Sequence, residues 1–337
     1  VSTTDLRWRD GLVAAWSDLE VEVDAPLSRR TTFGIGGPAD VLVTATDEAS
    51  VQRVLQGVEA AQQPLFVLGG GSNLLVGDLG IRGVVLTLAG RLAELHVDDG
   101  GKRLTVGCGC TYPRLTRTAL DLGWPGAVGW MGTPGQVGGA VLMNAGSRHG
   151  EIGDDVTLVE AVSAEGPVTF DHAACAFGYR TSVFQRTGVG GARVDASITS
   201  VDQQVSRLVL TRVILQCDKS STEKARELDA TAKDLLARRH RTQPKLRSAG
   251  SLFKNPPGDA AGRLIEAAGL KGFTVGHAQV SPVHANFVVN LGGALARDVV
   301  AVADHVIRTV AAHSGITLEW EVRRVGDFSP PAVGGAA

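Results

Sequence analysis

The chain has 337 residues, of which 44% are hydrophobic and 20% charged, with a formal net charge of −2. That length can bury a sizeable core in two or three packed units, and a balanced charge without a basic block argues against nucleic acid or a membrane surface as partner. No apolar run reaches the roughly 18 residues of a membrane span, and Cys108, Cys110, Cys175 and Cys217 show neither metal-ligand spacing nor a disulfide framework, so no metal and a reducing, cytoplasmic compartment are expected.

In chain order, the opening VSTTDLRWRDG has no signal-peptide features. Residues 40–45 predict a strand, after which Thr46 and Asp47 open a helix with Glu48 in its first turn. Short strands are predicted at 65–68, 84–88, 92–97 and 104–106, then a helix at 114–122 stopped by Gly123. Further strands are predicted at 156–162, 168–170 and 208–216. Many short strands among few helices point to an α+β fold rather than a doubly wound sheet.

The composition shifts after Gln216. Residues 220–240 read as one charged amphipathic helix, capped by Ser221 or Thr222, with Leu228, Leu235 and Leu236 on its apolar face. The domain boundary is placed at about 218, giving domains 20–217 and 218–328 and terminal extensions 1–19 and 329–337. In the second domain we expect a helix at 261–268 ended by Gly269, a strand near 287–290, a helix at 296–313 stopped by Gly315, and a strand at 316–322. The tail from Pro330 reads as disordered.

The 43 glycines, roughly twice the usual share, gather where apolar runs end. Gly69, Gly70 and Gly71 with Ser72 and Asn73 directly follow a strand. Such a loop suits a pyrophosphate nest or a tight turn. It is neither a P-loop nor a Rossmann fingerprint. The stretch 129–146, with Gly132, Thr133, Gly138 and Gly139, is glycine-rich ahead of the apolar 140–143. A flat heterocycle pressed on backbone needs such a surface, and so does an irregular loop. Arg180 follows Gly178 and Tyr179, and its planar fork suits a carboxylate as well as a structural role. Ser251 sits on a glycine turn without a nucleophile elbow, so it reads as a proton donor or a cap. Along 316–322 the apolar residues alternate with Glu319, Glu321 and Arg323, as on a solvated sheet face.

The order of these segments carries more than any one of them. TFGIGGPAD (32–40), LGGGSNLLV (68–76), GTPGQVGGAVLMNAG (132–146), FGYRTSVF (177–184), GSLFKNP (250–256), AGRLIEAAGLKG (261–272), SPVHANFVVN (281–290) and LEWEVRRVG (318–326) resemble the blocks of UDP-N-acetylenolpyruvoylglucosamine reductase across residues 31–326. The resemblance implies an FAD-binding region of two α+β subdomains, of the vanillyl-alcohol-oxidase (PCMH) type, and a C-terminal α+β substrate-binding domain. It also implies non-covalent FAD, NADPH as co-substrate and a UDP-sugar substrate in peptidoglycan biosynthesis. Arg180, Ser251 and Glu321 match the family's catalytic residues, Gly69 to Asn73 and the 132–139 loop its flavin loops, and Lys254 and Asn255 its substrate-diphosphate residues. Gln136 stands where threonine is usual, and Ser147-Arg148-His149 replaces a small-aromatic-glycine segment. Residues 187–207 are a polar insertion without a clamp tyrosine, Tyr112 and Tyr179 being the only two tyrosines. A flavin oxidase of the same fold, tethering FAD through Cys108 or Cys110, is the alternative. Oligomeric state is not readable, a monomer being the default.

Overall fold

The computed structural model describes residues 7–186, 208–217 and 221–329. The 187–207 insertion and the tail from Pro330 lie outside the described residues.

The first subdomain is a four-stranded sheet in the order Glu20–Pro26, Pro38–Ala45, Ile81–Leu88, Leu65–Val67. The last three strands run parallel. Parallel strands covered on both faces read as continuous apolar runs, and Val41, Leu42, Val43, Val84, Val85 and Leu86 are all buried. The helix Glu48–Ala60 covers one face. Asp47 starts it through a capping box: its carboxylate accepts from Ser50 N at 2.8 Å, and Ser50 Oγ accepts from Asp47 N at 3.1 Å.

The second subdomain is an antiparallel sheet in the order Pro167–Asp171, Val156–Val162, Val209–Gln216, Arg103–Gly107, Leu95–Asp98. Both subdomains contribute to one apolar core. The expected strand at 92–97 is a 3-10 turn, Gly90–Ala93, followed by the strand Leu95–Asp98. Leu92 points into the core there and is 1% exposed, while Leu95 to Asp98 pair with Arg103 to Val106.

The C-terminal unit has its own core. The sheet Thr274–Val275, Ala278–Val280, Val288–Asn290 packs under the helix Ala296–Ser314. Gly315, at φ +72°, ends that helix and donates its N–H to Ala311 O. The expected strand at 316–322 keeps its alternation, with Leu318 and Val322 buried, but forms no ladder. One bridge joins Trp320 to Phe253, and only Arg323–Val325 is a strand. That strand pairs in parallel with Leu74–Val76 of the first subdomain.

Two of the expected domain limits shift. The helix Thr222–Thr242, expected to open the second domain, packs on the first core through Ala232, Leu228 and Leu235. The cores therefore change hands after Thr242, not at 218. The N-terminal segment is also no bare extension. Residues Arg7–Ala15 form a helix, Leu12 and Trp16 are buried in the first core, and a Cβ added at Gly57 would lie 2.8 Å from the Trp16 ring. Trp16→Ala is expected to cost about 3–5 kcal/mol, read as a lowered thermal midpoint. An unchanged midpoint would show that residues 7–16 are dispensable to the core.

Candidate active site

A cavity of about 600 Å³ lies where the two subdomains meet the C-terminal unit. One wall is the loop between Leu65–Val67 and Leu74–Val76, lined by Gly69, Gly70, Gly71, Ser72 and Asn73. A Cβ on Gly70 would come within 2.7 Å of Gly135 Cα. Gly71 has φ +58°, and a Cβ there would run into the Arg30 carbonyl oxygen. Only glycine lets these backbones approach so closely. Ser72 Oγ donates to Pro134 O at 3.3 Å, tying this loop to the second one.

That second loop brings Gly132 and Thr133 to the cavity, and Gly138 and Gly139 line it from the first turn of the helix Val137–Leu142. Gly139 has open space where a side chain would stand. Cys108 lies behind Gly138 and lines the cavity floor. Burial pushes its thiol, and that of Cys110, well up from the usual range. A neutral, enclosed thiol is a poor nucleophile, so neither suits a covalent flavin tether.

The three expected catalytic residues come from separate segments and all line this cavity. Arg180 sits at φ +55°, with its Nε 3.8 Å from Glu321 Oε1. Ser251 begins an extended stretch that is fixed on both sides. Asn286 brackets Phe253, accepting from its N at 3.0 Å and donating to its O at 2.8 Å, and Glu321 N donates to Leu252 O at 2.8 Å. The same bond holds Ser251 and Glu321 in register. No histidine lines the cavity among the described residues, so the serine has no base to make it a nucleophile. Glu321 is not on a solvated face. Burial raises its carboxyl above the ordinary range, opposed by the charges of Arg180 and Lys254.

Other expected site residues stand elsewhere. Lys254 lies outside the cavity, exposed, with Nζ 3.4 Å from Glu319 Oε2. Asn255 is spent locally, its Oδ1 accepting from Ala261 N at 3.1 Å at the start of the helix Ala261–Ala267. His149, which the sequence did not assign to the site, is exposed beside Arg148 and outside the cavity. Asn73 lines the cavity, but its amide donates to the Glu321 carbonyl at 3.2 Å; in return Arg323 N donates to Asn73 O at 3.1 Å.

Arg239, Arg247 and Arg323 also line the cavity and are not singled out by sequence as site residues. Burial lowers the Arg323 guanidinium to about 10, and no carboxylate among the described residues pairs with it. Arg239 runs alongside Gly132. It is lowered by burial first and by the charge of Arg180 second. A signal existed for Arg323, two residues beyond Glu321 on the same side of an extended segment. For Arg239 the helical pattern offered none. Four guanidiniums face one carboxyl, so the cavity is built for a ligand carrying several negative charges. Among the described residues no cluster of His, Cys, Asp and Glu could hold a metal ion.

A family model described as "FAD binding domain" matches residues 39–170, and one described as "UDP-N-acetylenolpyruvoylglucosamine reductase, C-terminal domain" matches residues 243–325. The chain is 44% identical over 313 residues to UDP-N-acetylenolpyruvoylglucosamine reductase of Anaeromyxobacter sp. (strain Fw109-5), covering 92% of this chain and 90% of that protein. It is 42% identical over 330 residues to the protein of the same name from Desulfosudis oleivorans, covering 96% and 99%. The crystal structure of UDP-N-acetylenolpyruvylglucosamine reductase from Thermus caldophilus superposes with a TM-score of 0.71 at 36% identity, over 91% of this chain and 98% of that one.

The close approach of the two glycine loops makes a direct prediction. Gly70→Ala is expected to push them apart and yield protein with a reduced flavin-to-protein absorbance ratio. A full complement of flavin in that variant would show that the contact is not needed for binding.

Proposed function

This chain belongs to the UDP-N-acetylenolpyruvoylglucosamine reductase family, and on that premise we propose that it reduces the enolpyruvyl ether of UDP-N-acetylglucosamine to UDP-N-acetylmuramate for peptidoglycan synthesis, using NADPH and bound FAD. The observation that carries this reading is the convergence of Arg180, Ser251 and Glu321, from three separate segments, on one cation-rich cavity walled by two glycine loops. The residues present fit FAD. The backbone of Gly69 to Ser72, with the unpaired guanidinium of Arg323 nearby, suits a diphosphate. Gly132, Thr133, Gly138 and Gly139 leave a wall without side-chain obstruction for a flat ring system. The raised thiols of Cys108 and Cys110 favour non-covalent binding and disfavour the tethered oxidase alternative.

Held by the loops of Gly69 to Asn73 and Gly132 to Gly139, FAD would supply hydride chemistry between NADPH and the terminal carbon of the enol ether. The chain's own residues manage the charge and the proton. Negative charge builds on the adjacent carbon and its carboxylate, and Arg180 offers a preorganised cation for it, worth several kcal/mol in a site closed to water. Ser251 donates the proton to that carbon, driven by the basicity of the developing carbanion. Burial favours the neutral form of Glu321 against the charges of Arg180 and Lys254, and in that form it would lie beside the substrate carboxylate without repelling it. Lys254 and Asn255 border this region from outside the cavity. For them to hold the substrate diphosphate, Lys254 exchanges its Glu319 contact for the ligand. The cytoplasm is the expected compartment: all four cysteines are buried, and no helix among the described residues is long and apolar enough to cross a membrane.

Purified protein given NADPH and the enol ether is expected to oxidise NADPH only when the enol ether is present; absence of that dependence overturns the reading. Ser251→Ala should leave flavin reduction by NADPH intact and slow the enol-ether step by roughly a hundredfold or more. Equal losses in both half-reactions would remove Ser251 from the proton-donor role. As pH rises through the raised pKa of Glu321, its carboxyl ionises and repels the incoming carboxylate. KM for the enol ether is therefore expected to climb, and Glu321→Gln, neutral at every pH, should lose that climb.

A further inference from the structure

Arg180 occupies a conformation that its own residue type does not favour. It lies at the tip of a four-residue turn closed from both ends: Gly178 N donates to Thr181 O at 3.0 Å, and Thr181 N to Gly178 O at 3.1 Å. Its φ is +55°. A non-glycine residue stays in the left-handed region only when its surroundings hold it there. The surroundings here are specific. Asn144, 3% exposed and itself at φ +44°, donates from Nδ2 to Gly178 O at 3.1 Å and to Glu151 Oε2 at 2.8 Å, while its Oδ1 accepts from Gly153 N at 2.9 Å. Both N–H groups and the oxygen of this buried amide are engaged, which fixes its orientation. On the far side of the turn, the fully buried Ser182 donates to Leu142 O at 2.8 Å. The turn is thus fastened to the end of the helix whose first residues, Gly138 and Gly139, wall the flavin side of the cavity.

We propose that Asn144 and Glu151 are positioning residues for Arg180: Asn144 locks the turn that aims the guanidinium, and Glu151 locks Asn144. Neither residue lines the cavity, so both act through Arg180. Burial raises the Glu151 carboxyl above the ordinary carboxylate range, and the field of Arg180 and the bond from Asn144 oppose that rise; the bond is at its strongest where Glu151 is ionised. The effect should fall where charge builds in the transition state rather than where substrate first binds.

This inference rests on the reductase reading, and the experiment separates the two. Wild-type protein, Asn144→Gly, Glu151→Gln, Arg180→Lys and the double variant Asn144→Gly/Arg180→Lys are compared in rapid mixing, first with NADPH and then, after reduction, with the enol ether. Affinity for the product, UDP-N-acetylmuramate, is measured separately by calorimetry. Glycine accepts the backbone angle at 144, and Glu151→Gln keeps an acceptor for the Asn144 amide, so folding is not at stake in both. Asn144→Gly is expected to slow flavin reoxidation by the enol ether roughly ten- to a hundredfold, with flavin reduction and product affinity within about threefold of wild type. Glu151→Gln should show a smaller loss of the same kind. In the Arg180→Lys background, Asn144→Gly should cost nothing further, because its effect passes through the arginine. Wild-type rates in both single variants, equal losses in both half-reactions, or full additivity in the double variant would overturn the proposal. Failure of the wild-type protein to be reoxidised by the enol ether would instead overturn the reductase reading itself.

Discussion

The parallel pairing of Leu74–Val76 with Arg323–Val325 is the constraint on which the site depends. It places the glycine loop that precedes Leu74 against the segment that carries Glu321. Asn73 completes the seam by exchanging hydrogen bonds with the Glu321 carbonyl and the Arg323 amide. The glycine loop and the Arg180–Glu321 pair thus meet along one short ladder. The Ser251 stretch joins it through the bond from Glu321 N to Leu252 O, and Asn286 steadies that stretch from behind. Three elements from distant parts of the chain are therefore fixed to one another by hydrogen bonds to backbone atoms, from main-chain N–H groups and from the amides of Asn73 and Asn286, which is what preorganisation of charge requires.

The cavity's electrostatics follow from the same closeness. Burying guanidiniums without acid partners is unfavourable in the free protein. Arg323 and Arg239 bear that cost, and Arg239 also feels the charge of Arg180. A ligand that brings several negative charges relieves all of it together. Much of the drive for binding is therefore stored in the protein before any ligand arrives.

Much of this was legible in the sequence, for local reasons. Asp47 starts its helix by satisfying nearby backbone donors, and Gly315 stops its helix by adopting a left-handed angle, so both announce themselves within a few residues. The order of the motif blocks carried the family. What stayed hidden depends on neighbours. The stretch 316–322 alternates like a strand, yet a strand also needs a partner, and only Trp320 finds one. Lys254 and Asn255 follow Ser251 closely in sequence, but beyond the buried Leu252 and Phe253 the chain turns to Glu319 and to the helix at 261. Arg239 lies on a helix assigned by composition to the second domain, while its packing and its side chain belong to the first.

The bond between Asn73 and Glu321 spans 248 positions of the chain. On the ribosome the glycine loop emerges early and its partner strand emerges much later, so the two cannot meet until nearly all of this sequence has been made. Long-range closures of this kind are slow to form. A nascent chain cut short before Glu321 therefore lacks the strand that pairs with Leu74–Val76, the carbonyl that Asn73 binds and the carboxyl beside Arg180.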